Sequence, residues 1–174
     1  LDVLHYPQFS CRRTRVLIHN PEIGMRWYQG GDKSHIEHAY TLLFPREKYF
    51  ESHPEWYCMH NGKRDPYFNK SPHLESWQMC YSNPELVEET AKKVIEFFDN
   101  NPDYTSFSLA ANDGIYEGFC ECDECQKLGM PGEIMMEFVN RVAKITAEKY
   151  PKKTLYFFVY FPTFDPPNRF IQAE

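Results

Sequence analysis

Hydrophobic positions in the second half of the chain follow two clear periods. Val87, Ala91, Val94, Ile95 and Phe98 recur at the spacing of one helical face. Asn83 is a good N-cap for that helix, Pro84 suits its first turn, and "DNNPD" ends it. Ser106 to Ala111 alternates instead, with Phe107, Leu109 and Ala111 on one side, and predicts a strand. A second helix is predicted over Gly132 to Lys149, with Met135, Phe138, Val139, Val142 and Ile145 as its buried stripe and "YPKK" as its stop. "TLYFFVYF", Thr154 to Phe161, is almost continuously apolar and aromatic, as suits a strand covered on both faces.

The order helix, strand, helix, strand is what parallel crossovers require, so the fold class is α/β. Periodicity alone fits both a (β/α) barrel and an open doubly wound sheet. No GxGxxG or GxxxxGK[ST] is present, which argues against nucleotide-binding forms of either. The first half is less regular. Arg15 to His19, Tyr40 to Phe44 and Trp56 to Met59 read as strands, and "LFPREKYFESHPEW" as a short helix flanked by prolines. His60 to Leu74 has turn composition and reads as a surface loop.

Composition narrows the class. Of 174 residues, 42% are apolar and 17% aromatic, enough for a packed core in one domain or a piece of one. The formal charge of −6, with only the short basic clusters "CRRTR" and "PKKT", gives no electrostatic case for nucleic acid. No apolar run approaches the roughly 20 residues that span a bilayer. "LDVLHYPQF" opens without Met or signal-peptide order, and "PPNRFIQAE" closes without a cap. The expectation is therefore an excised segment whose site other parts of the same longer chain complete.

The chemistry concentrates in "FSLAANDGIYEGFCECDECQKLG", residues 107 to 129. Asn112, Asp113 and Gly114 stand at the carboxyl end of the predicted strand, where parallel α/β folds build their sites. The connection to the next helix runs about 20 residues, against about 2 to 6 in ordinary units of this kind, and so needs a reason. Function is one reason. A staple is another, because Cys120, Cys122 and Cys125 form C-x-C-x-x-C and Cys80 lies just before the first long helix. Converging, these four thiols suit tetrahedral zinc. In an oxidising compartment, disulfides such as one from Cys80 to a loop cysteine suit them as well. No His stands beside them in sequence as the base a catalytic cysteine needs. Cys11 and Cys58 read as ordinary buried thiols.

Asp113 is the leading candidate for function, able to bind a ligand hydroxyl or take part in acid–base chemistry. The plain alternative is that "NDG" is only a turn. Glu117 is a second catalytic candidate in the same connection, since two carboxylates about 5 to 10 Å apart suit glycosidic chemistry. His35 and His38 form H-x-x-H without the Glu of HExxH, so a ligand-facing His38 is a better reading than a metal pair. Most of the aromatics must be core. Those at loop ends, Tyr160 among them, could stack on sugar rings.

Four blocks then come in a familiar order: "HAYTLLFPREKYFESHPEWYCMHNGKR", "QMCYSNPEL", "FSLAANDG…GFCECDEC" and "EFVNRVAKITAEKYPKKTLYFFVY". Over residues 35 to 167 the chain resembles the bacterial uncharacterised-domain family from which glycoside hydrolase family 163 is drawn. The resemblance implies that residues 1–174 are part of one (β/α) TIM-type barrel. It also implies an endo-β-N-acetylglucosaminidase-like activity on N-glycans and no cofactor for catalysis. The mechanism implied is substrate-assisted retention, in which one carboxylate orients the acetamido group and another protonates the leaving oxygen. His38, Asn112 and Asp113 sit at motif positions, with His38, Asn112 and Tyr160 as expected substrate contacts. Residues 112–113 read Asn-Asp where acetamido-assisted enzymes commonly carry Asp-Glu, so either the acid comes from another strand or the substrate differs. Polymeric glycans are met outside the cytoplasm, which implies a periplasmic, cell-surface or secreted setting. A non-catalytic carbohydrate-binding barrel and a zinc-stapled interaction module are the alternatives.

Overall fold

Ser106 to Ala111 lies at the centre of the sheet, and every residue from Ser106 to Asn112 is buried. A strand buried on both faces needs cover on both sides, and that requirement organises the chain. A computed structural model describes residues 11–12, 30–31, 33–35, 37–66, 77–113, 119–159, 163, 165–168 and 171. Its elements run β1 (Cys11–Arg12), β2 (Gly30–Gly31), β3 (Lys33–His35), α1 (Tyr40–Leu43), α2 (Arg46–Tyr49), a 3₁₀ turn (Pro54–Trp56), β4 (Met59–His60) and β5 (Lys63–Arg64). They continue with α3 (Pro84–Asn100), β6 (Tyr104–Ser108), α4 (Asp123–Leu128), α5 (Pro131–Ala147) and β7 (Thr154–Tyr156).

The main sheet has the order β3-β6-β7 and is parallel throughout. The fold is mixed α/β, and the described residues contain no closed barrel. Two antiparallel pairs, β1 with β2 and β4 with β5, stand apart from the sheet. Asn61 and Gly62, with φ of 49° and 74°, make the turn between β4 and β5, a conformation those two residue types tolerate best. No helix among the described residues is long and apolar enough to cross a membrane.

Both long helices form where the apolar spacing predicts them. The Asn83 side chain accepts the Leu86 N–H at 3.0 Å and caps α3. Leu86, Val87, Ala91, Val94 and Phe98 are buried. α5 buries Met135, Phe138, Val139 and Val142 and packs against α3. Ile95 and Ile145, predicted for the same stripes, are only half-buried. Burying one such side chain is worth about 1.5 to 3 kcal/mol, which fixes the helices as cover for the sheet.

Three expectations change. Tyr40 to Phe44 is helix, not strand, because an i,i+4 spacing buries Tyr40 and Phe44 together and turns Leu42 outward at 62% exposure. An extended chain would put all three on one side. Trp56 to Met59 is split between the 3₁₀ turn, a bridge from Tyr57 to Met79, and β4. β7 stops at Tyr156 rather than running through the aromatic tract. The strand expected at Arg15 to His19, and residues 67–74 of the expected surface loop, lie outside the described residues.

The core is unusually aromatic, and the hydroxyls of its buried tyrosines are hydrogen-bonded. Tyr40, Tyr81 and Phe138 meet edge to face, with centroids 5.1 to 6.0 Å apart. The Tyr40 hydroxyl donates to Leu109 O at 3.1 Å and the Tyr57 hydroxyl to Phe44 O at 2.9 Å. Two buried polar atoms have no partner among the described residues, Nε1 of Trp77 and Nδ1 of His35. The His35 ring stacks on Phe107 at 4.3 Å and meets the edge of Phe97. Burial lowers the pKa of His35, against the raising influence of the Glu37 charge.

That shift predicts a pH effect. The unfolded imidazole takes up a proton near its ordinary value of about 6.5, while the folded one resists until lower pH. Stability present above pH ~6.5 is therefore expected to fall as pH drops below it. Urea midpoints of wild type and His35→Phe, compared across that interval, check this. The variant should lose less stability on acidification, and parallel profiles would clear His35 of the effect.

Candidate functional site

Beyond β6 the chain stays paired for two residues. Leu109 N–H donates to Tyr156 O at 2.7 Å, and Ala110 bridges to His38 in parallel register. Asp113 therefore leaves the sheet at the carboxyl end of its central strand, and it is exposed there. His38 follows the carboxyl end of the neighbouring β3, and its Nδ1 lies 2.5 Å from Ala111 O. A carbonyl only accepts, so Nδ1 carries the hydrogen, and Nε2 is the acceptor nitrogen of the neutral ring. Phe158, just past β7, meets the His38 ring edge-on at 5.7 Å. The connections leaving all three parallel strands thus share one rim. His35 takes no part in it, and neither histidine of H-x-x-H joins a potential metal-ligating group among the described residues.

Asn112 occupies a different place from its neighbour. It is only 1% exposed. Its Nδ2 donates to Trp77 O at 2.9 Å, and its Oδ1 accepts the Thr41 N–H at 3.3 Å. Gln78 holds the Asn112 main chain on both sides: Oε1 accepts the Asn112 N–H at 3.0 Å and Nε2 donates to Asn112 O at 2.8 Å. The Tyr81 hydroxyl donates to the same Gln78 oxygen at 2.9 Å. These bonds fix the backbone from which Asp113 projects. Glu117, Tyr160 and Gly114 lie outside the described residues.

The cysteines converge. Cys80, Cys120, Cys122 and Cys125 bring their sulfurs within 4.8 Å of one another, and all but Cys122 are buried. Cys80 Sγ is 3.6 Å from Cys122 Sγ and 3.9 Å from Cys125 Sγ. None of the four is disulfide-bonded. Main-chain bonds that involve no sulfur hold the three segments together: Cys80 N–H to Trp56 O at 2.7 Å, Cys58 N–H to Gln78 O at 3.0 Å and Glu121 N–H to Met59 O at 2.9 Å. Gln126 then closes the loop, its side chain donating to Cys120 O and its N–H to Cys122 O, both at 3.0 Å.

Polar groups surround the sulfurs. The Met59 N–H donates to Cys120 Sγ at 3.2 Å, and Ser82 Oγ lies 3.1 Å from Cys125 Sγ. Hydrogen bonds from Cys120 and Cys125, then from Ser82 and Arg64, draw the Cys80 thiol far below its ordinary range. The same contacts, seen from Cys120, hold that thiol protonated. The hydrogen bonds around the cluster thus favour the thiolate at Cys80. Cys58 stands apart as a buried thiol, pushed up to about 12 by desolvation. The side chain of Cys11 is outside the described residues.

Sequence reasoning did not single out Gln78, Ser82 or Arg64. Gln78 carried a signal, an uncharged polar residue inside the aromatic and apolar run "WQMCY". Arg64 carried none, since nothing local ties a loop arginine to a distant sulfur. No curated protein and no solved structure matches the chain. A family model does match, over residues 4–174, and the chain belongs to the family described as "Domain of unknown function (DUF4838)".

Proposed function

We propose that the chain forms a sector of a (β/α) barrel glycoside hydrolase acting on β-linked N-acetylglucosamine-containing glycans, with retention assisted by the substrate's acetamido group. The observation that carries this reading is that His38 and Asp113 follow the carboxyl ends of two hydrogen-bonded parallel strands, with Phe158 beside His38. Such strand ends are where parallel α/β enzymes gather their ligand contacts. The resemblance, over residues 35 to 167, to the uncharacterised-domain family from which glycoside hydrolase family 163 is drawn suggests the substrate class.

In this reading the Asp113 carboxylate accepts the acetamide N–H and so sharpens the amide oxygen as the nucleophile at the anomeric carbon. A second carboxylic acid, for which Glu117 is proposed, gives its proton to the departing glycosidic oxygen and later takes one from water. Nε2 of His38 accepts a sugar hydroxyl, and Tyr160 offers a ring face to the sugar. Asn112 serves the ligand from behind, by holding the turn on which Asp113 stands. The remaining barrel strands come from other parts of the same chain. The setting is periplasmic, cell-surface or secreted, where such glycans occur.

The test is glycan release by the intact protein from a glycoprotein bearing complex N-glycans and from simple β-N-acetylglucosaminides. Release of saccharides with retained anomeric configuration supports the proposal. Saturable binding without release puts the non-catalytic binding barrel in its place, and neither binding nor release removes sugars as ligands.

A further inference from the structure

We propose that Cys80, Cys120, Cys122 and Cys125 form a closed tetrathiolate site for a single zinc ion, which ties the segment just before α3 to the connection at 120–125. The argument starts from size. Zinc–sulfur bonds of about 2.3 Å place the sulfurs of a tetrahedron about 3.8 Å apart. The measured separations from Cys80 are 3.6 and 3.9 Å, and no pair of the four exceeds 4.8 Å. Iron–sulfur clusters spread their cysteine sulfurs much farther, because iron and sulfide stand between them.

The arrangement also argues against disulfides. Two bridges would sort four sulfurs into two close pairs of about 2.05 Å each. Here Cys80 Sγ is nearly equidistant from two partners, as one vertex of a tetrahedron is. All four cysteine positions are set by main-chain and amide bonds that do not depend on sulfur, so the cage is formed by the fold itself.

Charge points the same way. Zinc binding displaces the S–H protons that the four cysteines still hold, which pass to solvent, and leaves a centre of net charge −2 with no change of oxidation state. Such a centre, largely buried, needs donors and a positive neighbour. The Met59 N–H already donates to Cys120 Sγ, and the Ser82 hydroxyl lies at hydrogen-bond distance from Cys125 Sγ. Arg64 on β5 donates to Tyr57 O and is the positive charge beside Cys80, Cys120 and Cys122. No open coordination position is left, so the ion is structural. This assignment does not depend on the rim being a hydrolase.

The measurement is metal content of the intact protein, purified under reducing conditions without chelator, together with its cobalt-exchanged form. One equivalent of zinc per chain is expected, with the visible absorption of tetrahedral cobalt and the thiolate-to-cobalt charge-transfer band after exchange. Cys122→Ser, at the most accessible ligand, should shift that spectrum and weaken retention against a competing chelator by at least 10-fold, whereas Cys58→Ser should leave both unchanged. Stripping zinc should speed hydrogen exchange at the Met59, Glu121 and Gln126 amides. Zinc-free protein with two mapped disulfides would overturn the proposal. So would iron in place of zinc, or a Cys122→Ser protein with an unaltered cobalt spectrum.

Discussion

Asp113→Asn in the intact protein is expected to lower glycan release by at least about 100-fold, the low end for a positioned group in proton-transfer chemistry. Asn nearly matches Asp in size but turns one acceptor oxygen into a donor and removes the charge. A group that orients the acetamide by accepting its N–H loses that ability, and the positive charge developing at the anomeric carbon loses its nearest anion. The effect should fall on kcat more than on KM, because the contact tightens as the amide oxygen attacks. Asp113 is exposed, and a surface exchange of this kind should change stability by no more than about 0.5 kcal/mol. Turnover at the wild-type rate would remove Asp113 from the site. A lost activity accompanied by a lowered melting temperature would assign it to the fold instead.

How much of this was legible depended on the reach of each signal. Local signals held: Asn83 capping, Pro84 in the first turn and the apolar stripe that follows specify α3 nearly to the residue. The parallel sheet was legible from the order helix, strand, helix, strand and from the apolar run at 154–161, of which β7 keeps only Thr154–Tyr156. Tyr40 to Phe44 misled because five apolar or neutral residues fit either period, and only the partners of Tyr40 and Phe44 across the core decide between them. The cysteine cluster was legible because three thiols in C-x-C-x-x-C call for a fourth partner and Cys80 stands just before α3. Choosing between metal and disulfide was not, since it rests on sulfur–sulfur distances set by β4, β5 and the Gln78 segment.

The same limit applies inside the candidate site. Asn112 and Asp113 are adjacent and were read together as ligand-facing, yet a turn sends successive side chains in different directions. Asn112 points into the protein and Asp113 outward, so their mutational signatures should separate.

Asn112→Ala should accordingly act on stability first. Truncation leaves the Trp77 carbonyl without its 2.9 Å donor and the Thr41 N–H without its acceptor. A buried backbone group deprived of its partner costs about 1 to 3 kcal/mol. Thr41 is half-buried, so water relieves part of its loss, and the expected total is about 2 to 4 kcal/mol. For a domain of this size that lowers Tm by roughly 5 to 15 °C. Asn112→Asp keeps the shape but turns a carboxylate oxygen toward the Trp77 carbonyl, so it should be destabilised by at least as much. If Asn112 instead acted only through the ligand, Ala and Asp would both raise KM and leave the melting curve where it was. Calorimetry of the two variants decides between these outcomes. The Gln78 clamp gives the independent arm: Gln78→Leu strips the Asn112 N–H, the Asn112 carbonyl and the Tyr81 hydroxyl of partners at once, and should destabilise more than either.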